Sequence, residues 1–194
     1  MSSTLDRLHV TLGILAGGRA TRLERRDKAW LQRAGIPQVV RLARHFEADC
    51  GAVLVSANAG LERYAALGLA VVSDRVSGIG PIGGLEALAD ACTTPWLLTL
   101  PVDVINIDSD VLCRLVAAAG MGSVAEDDDG PQPLVALYQV ASLRAAIETG
   151  LMAGEHAIHA MQARLDLPRV RFDGLRFGNL NTPQDLRAAG FDED

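Results

Sequence analysis

From residue 9 to residue 119, short apolar runs alternate with stretches whose apolar residues recur at helical spacing, and this alternation is the strongest constraint on the fold. Strands are read at residues 9–15, 52–56, 69–73 and 96–100. Helices open at Pro37, with Val39, Leu42, Ala43 and Phe46 on one face, and at 61–67. Two more follow, one carrying Ile82, Leu85, Leu88, Ala89 and Cys92, the other at 110–119. Strands separated by helices pair in parallel through right-handed crossovers, so the rhythm predicts a single three-layer α/β domain with a mostly parallel sheet. Such a sheet gathers ligands beyond the carboxyl ends of its strands. Gly17, Asn58, Asp74 and Asp103 each follow a predicted strand and are expected on one edge.

After residue 120 the rhythm changes. Strands at 123–126 and 133–139 flank Asp127-Asp128-Asp129-Gly130, which reads as a solvated acidic hairpin tip. Helices at 141–151 and 156–165, a strand at 169–172 and a short helix from Pro183 complete the chain. The expectation is one domain over 1–194, with 1–119 as a nucleotide-binding half and 120–194 as a substrate-binding elaboration.

The first strand runs into Gly17-Gly18 and then into Arg19, Arg22, Arg25, Arg26 and Lys28. Glycine lets backbone N–H groups approach an anion, and the cations neutralise it. The net charge is −6, so this cationic loop is a local feature that a polyphosphate explains. It is not a Walker A loop. Gly13 and Gly18 have the spacing, but Arg19-Ala20 stands where lysine and a hydroxyl are required. Gly78-Ile79-Gly80-Pro81-Ile82-Gly83 matches G-x-G-x-x-G, with Asp103 about 20 residues further on. The preceding strand ends before residue 74, however, and a nicotinamide site would leave the cationic loop unexplained.

Asp103 at a strand's end, facing a phosphate loop, suits magnesium, which takes one or two carboxylates plus phosphate and water. A turn or cap role is the alternative for Asp103 and for Asp74. Asn179 and Asn181 share a face if the segment is extended, whereas Thr182 and Pro183 fit the cap and first position of a helix. His156 and His159 lack a completing carboxylate and read as ordinary surface or core histidines. Cys50, Cys92 and Cys113 read as small buried hydrophobes. The acidic balance and 4% aromatic content argue against nucleic acid and anionic membranes as partners. No signal peptide or spanning segment is legible, so a cytoplasmic location is expected.

Taken in order, these segments resemble the molybdenum cofactor guanylyltransferase family. The matching pieces are Leu15-Ala16-Gly17-Gly18, Arg22, Asp27-Lys28, Ser56-Ala57-Asn58 and Asp74. They continue with Gly80-Pro81-Ile82-Gly83-Gly84, Pro101-Val102-Asp103, Gly154-Glu155 and Asn179-Leu180-Asn181-Thr182-Pro183. The resemblance implies a nucleotidyltransferase (Rossmann-like) fold and transfer of GMP from GTP to molybdopterin, with magnesium and release of pyrophosphate. It also implies contact with proteins that carry molybdopterin or mature molybdoenzymes. Leu15, Ala16, Gly17, Gly18, Lys28, Asn58, Asp74, Gly83 and Asp103 would bind nucleotide, with Asp103 holding the metal. Arg22, Lys28 and Asp103 would be catalytic, and Asn179 and Asn181 would bind the acceptor. Gly17, where the cytidylyl branch has alanine, tilts the base toward guanine. Two departures stand out: the family's Arg-Met-Gly-Gly-x-Asp-Lys is here Arg22-Leu23-Glu24-Arg25-Arg26-Asp27-Lys28, and Ile105 replaces a proline. Glu24 brings a negative charge beside the proposed phosphate site. Transfer to another phosphorylated acceptor, or a non-catalytic nucleotide-binding relative, are the alternatives.

Overall fold

A computed structural model describes residues 9–17, 27–76 and 78–192. Gly18, Arg22 and Glu24, on which expectations above rest, lie outside the described residues. The strands are β1 (Val10–Leu15), β2 (Gln32–Arg33), β3 (Ile36–Pro37), β4 (Ala52–Ser56), β5 (Ala70–Val72), β6 (Trp96–Pro101), β7 (Gly122–Asp127), β8 (Gly130–Gln139) and β9 (Arg169–Arg171). The α-helices are α1 (Gln38–His45), α2 (Leu61–Ala66), α3 (Pro81–Ala91), α4 (Ser109–Ala118), α5 (Val140–Met152), α6 (Ile158–Arg164) and α7 (Pro183–Ala188).

Seven strands form one sheet in the order β5-β4-β1-β6-β8-β7-β9, and β2 and β3 make a separate antiparallel ribbon. β5, β4, β1 and β6 pair in parallel, as the rhythm of strands and helices predicts. β8 alone runs against its neighbours. The two-residue connection between Asp127 and Gly130 leaves room only for a hairpin, which forces that reversal. One sheet therefore carries both halves of the chain.

The alternation of side chains along β1 builds the two faces. Val10, Leu12 and Ile14 enter a core with α1, α2 and α4, alongside Val39, Tyr64 and Leu112. Leu15 joins the opposite core of α3, α5 and α6, with Leu85, Leu143 and Met161. On that second face Gly13 sits where a β-carbon would lie 2.9 Å from Leu88, so α3 packs directly on the β1 backbone.

Two readings are corrected here. Asp127 is not at a solvated tip: it is fully buried and accepts the N–H of Phe177 at 2.8 Å, Gln132 Nε2 at 2.9 Å and the N–H of Asp129 at 2.9 Å. Burial acts to raise its pKa, but these three donors outweigh it and hold the carboxyl below the ordinary aspartate value. Cys113 is exposed, unlike Cys50 and Cys92, because it falls on the outer face of α4.

Candidate functional site

β1 lies between β4 and β6, and the chain runs outward through β4 and β5 before returning to β6 on the far side of β1. That reversal opens a crevice at the carboxyl ends of β1 and β6. Leu15 is in register with Ser56 on one side and Pro101 on the other. The N–H of Ala16 donates to Ser56 O, and the N–H of Val102 donates to Leu15 O, both within 3.0 Å. Leu15 is buried, Ala16 half-buried and Gly17 exposed at the mouth. A β-carbon on Gly17 would stand 3.6 Å from Asn58 Nδ2, so the glycine turn and Asn58 adjoin.

Asn58 and Asp74 clasp each other. Asn58 Nδ2 donates to Asp74 Oδ2 at 2.9 Å, and the N–H of Asp74 donates to Asn58 Oδ1 at 2.9 Å. Asp74 Oδ1 is buried without a partner among the described residues. An orphaned acceptor of this kind is costly unless a donor arrives from outside the chain. Gly83, in the first turn of α3, presses on this carboxylate: its β-carbon would lie 3.0 Å from Asp74 Oδ2.

On the other side of the crevice, Lys28 opens a 3-10 turn (Lys28–Trp30) capped by Asp27, whose Oδ1 accepts the N–H of Ala29 at 3.0 Å. Ala29 is fully buried and seats the turn. The Trp30 ring packs against Tyr64 of α2, with centroids 4.8 Å apart and planes tilted by 50°, and lies 3.8 Å beneath the Arg63 guanidinium. Fixed in this way, Lys28 Nζ donates at 2.7 Å to Asp103 Oδ2 and at 2.7 Å to Asn181 Oδ1. The pair is only about one-fifth exposed. Three segments separated by up to 153 residues thus converge on one ammonium.

Asn181 reaches this point because residues 103–106 clamp the segment before α7. The N–H groups of Ile105 and Asn106 donate to Phe177 O, and the N–H of Leu180 donates to Asp103 O. Asn179 does not share the face of Asn181, contrary to expectation. The N–H of Asn181 donates to Asn179 O at 3.0 Å, a three-residue turn rather than extended chain, and Asn179 is left exposed. Thr182 caps α7 and Pro183 occupies its first turn, as predicted.

Asp185 was not singled out from the sequence. Its Oδ2 accepts the N–H of Thr182 at 2.7 Å and that of Asn181 at 3.1 Å, completing a capping box. The Thr182 side chain first, then these two N–H donors with Lys28 beyond, hold its carboxyl below the ordinary value. The spacing Thr182-x-x-Asp185 is the signal that could have found it.

His156 and His159 lie apart from the crevice, and no group of three or more metal-ligating side chains occurs among the described residues. A single carboxylate is nevertheless enough for a magnesium ion that takes its remaining ligands from phosphate and water. Asp103 fits that role, since its Oδ1 enters none of the hydrogen bonds among the described residues. No helix of the described residues is long and apolar enough to cross a membrane.

A parallel sheet with a reversed eighth strand, a glycine mouth and a lysine–carboxylate cluster across the switch point is the arrangement of a nucleotidyltransferase. The chain belongs to the MobA-like NTP transferase family, whose domain profile matches residues 12–168. It is 30% identical over 182 residues to molybdenum cofactor guanylyltransferase of Yersinia pseudotuberculosis, covering 91% of this chain and 93% of that protein. Its fold is similar to the crystal structure of molybdopterin-guanine dinucleotide biosynthesis protein A from Archaeoglobus fulgidus, with a TM-score of 0.71, 20% identity and coverage of 93% and 96%. It is also similar to 2-C-methyl-D-erythritol 4-phosphate cytidylyltransferase from Thermus thermophilus, with a TM-score of 0.69, 20% identity and coverage of 92% and 96%.

Proposed function

We propose that this enzyme transfers GMP from GTP to molybdopterin, releasing pyrophosphate. The observation that carries the reading is Lys28, whose Nζ bonds Asp103 and Asn181 at once. A cation for the phosphates, a carboxylate for a metal and an amide on the acceptor side then meet in one crevice. The name of the relative at 30% identity supports the choice of nucleotide and acceptor.

In this reading the backbone of Leu15–Gly17 lines the nucleotide site, with Gly17 exposed at the mouth. Asp74 Oδ1 accepts an N–H from the guanine edge, which offers donors where cytosine offers fewer to a carboxylate. Asn58 and Gly83 hold Asp74 in place. Lys28 moves from Asp103 to the phosphates as nucleotide enters, and Arg22, which lies outside the described residues, assists. Asp103 would hold magnesium, which would neutralise phosphate charge there. The acceptor phosphate oxygen forms a bond to the α-phosphorus as the bond to the β-phosphate oxygen breaks, a displacement that needs positioning and charge more than a protein nucleophile. Asn181, with residues 120–194 around it, orients the acceptor, and Asn179 contacts it farther out. This reading includes a cytoplasmic location and contact with proteins that carry molybdopterin or mature molybdoenzymes.

The test is pyrophosphate release from GTP with magnesium and molybdopterin, repeated with Asp103→Asn. Turnover should depend on magnesium and fall at least about 100-fold in the variant while its fold is retained. GTP binding without any pyrophosphate release by the wild-type protein would favour the non-catalytic alternative. Equal use of CTP would remove the guanine assignment.

A further inference from the structure

Thirteen of the chain's eighteen lysines and arginines lie among the described residues, and ten of these are engaged. Lys28, Arg75, Arg164, Arg169, Arg171 and Arg176 are in ion pairs. Arg63 and Arg114 stack on aromatic rings, Arg144 binds the carbonyls that end α3, and Arg187 is also partnered. Three remain without an ion pair, side-chain hydrogen bond or ring contact among the described residues: Arg33, Arg41 and Arg44. All three line the same groove, together with His45.

The groove has a volume of about 440 Å³ and an apolar floor that includes Ile36, Leu42, Ile105 and Phe191. Arg41 and Arg44 are three residues apart on α1, with His45 one further, so they share one helix face. Arg33 stands opposite, on the β2–β3 ribbon. A second groove of about 550 Å³ shares Arg33 and Ile105 with the first and continues past Asn106 to Asn179 and Asp185. Its one carboxylate, Asp185, is committed to the N–H groups of Asn181 and Thr182. The two grooves form a trough from the back of α1 to the acceptor side of the Lys28 cluster.

Unpaired guanidiniums over an apolar floor, on a protein of net charge −6, are a complementary surface for an acidic partner. We propose that this trough docks an extended, acidic, apolar-anchored segment of a second protein and so holds that protein beside Asn179 and Asn181. A phosphodiester strand would match the cations but leave the apolar floor uncovered. Extended chain advances about 3.3 Å per residue and can present apolar side chains to the floor and carboxylates to the rim at alternate positions. The location at the acceptor end rests on the proposed transfer reaction. The docking itself does not, because it is measured without nucleotide.

The probe is a fluorescein-labelled octapeptide of alternating leucine and glutamate, titrated by anisotropy. It should bind, lose affinity as salt rises, and bind at least tenfold more weakly to Arg41→Glu/Arg44→Glu. Pyrophosphate release from GTP with free molybdopterin should be unchanged in that variant. If the double variant melts early, Arg33→Glu, on the exposed ribbon, should show the same loss. Equal binding of a leucine–lysine octapeptide, undiminished binding to the charge-reversed proteins, displacement by micromolar inorganic pyrophosphate, or tighter binding of an oligothymidylate would each overturn the proposal.

Discussion

Replacing Gly83 with alanine separates stability from nucleotide recognition. The new β-carbon would lie 3.0 Å from Asp74 Oδ2, 3.2 Å from its Cγ and 3.1 Å from Ile79 Cγ1. Alanine favours a helix over glycine by about 0.8–1 kcal/mol, so the first turn of α3 gains. The contact with Asp74 opposes that gain, because the carboxylate cannot simply retreat. Asn58 Nδ2 donates to its Oδ2 at 2.9 Å, and Asn58 Oδ1 accepts the Asp74 N–H at 2.9 Å, which fixes the backbone behind it. Turning it away surrenders a charge-assisted hydrogen bond in a partly exposed place, about 1–1.5 kcal/mol. The two effects nearly cancel, and Tm should move by no more than a few degrees. Binding has no such compensation. If Asp74 Oδ1 takes a guanine N–H, displacing it costs about 1.5–3 kcal/mol, a roughly 10- to 150-fold loss in GTP affinity. Calorimetric titration with GTP and magnesium, beside a thermal melt, measures both quantities. Wild-type GTP affinity in a variant of unchanged Tm would refute the assignment of Asp74 to the base.

Lys28→Met should cut pyrophosphate release at least about 100-fold, while Tm drops only slightly, since a partly exposed ion pair is worth about 1 kcal/mol. Equal turnover would show that the ammonium does not act on the phosphates. Asp127→Asn should destabilise the protein at neutral pH. Because the native carboxyl titrates below 3.8, Asp127 contributes its stability above that value and loses it as pH falls through the native pKa. Melts of wild type and variant should therefore converge below about pH 4, and a constant gap down to pH 2.5 would contradict the hydrogen-bonding account.

The edge of the crevice that carries Gly17, Asn58, Asp74 and Asp103 was legible because its parts follow strands in a regular rhythm. Once strands at Leu15, Ser56, Val72 and Pro101 pair in parallel, Gly17, Asn58, Asp74 and Asp103 must share an edge. The edge that carries Asn179 and Asn181 was only half legible. Nothing local in the sequence says that residues 103–106 will clamp Phe177 and Leu180, yet that clamp decides that Asn181 meets Lys28 and Asn179 does not. The turn at Lys28 and the ribbon of β2 and β3 were missed because two- and three-residue elements carry no periodic signal. Asp127 was misread for a general reason. Carboxylates are seldom fully buried, and only the distant N–H of Phe177 and the amide of Gln132 make burial tolerable here.

The packing of Trp30 against Tyr64 and Arg63 has a practical consequence. Trp30 is one of only two tryptophans in the chain and stands two residues beyond the ammonium that holds Asp103 and Asn181. Its indole is thus an intrinsic optical probe wired to the crevice. A rearrangement of the lysine on nucleotide entry should tug the turn and alter the ring's surroundings. Emission excited at the red edge of the protein absorption band should then follow nucleotide loading in real time, with no label attached.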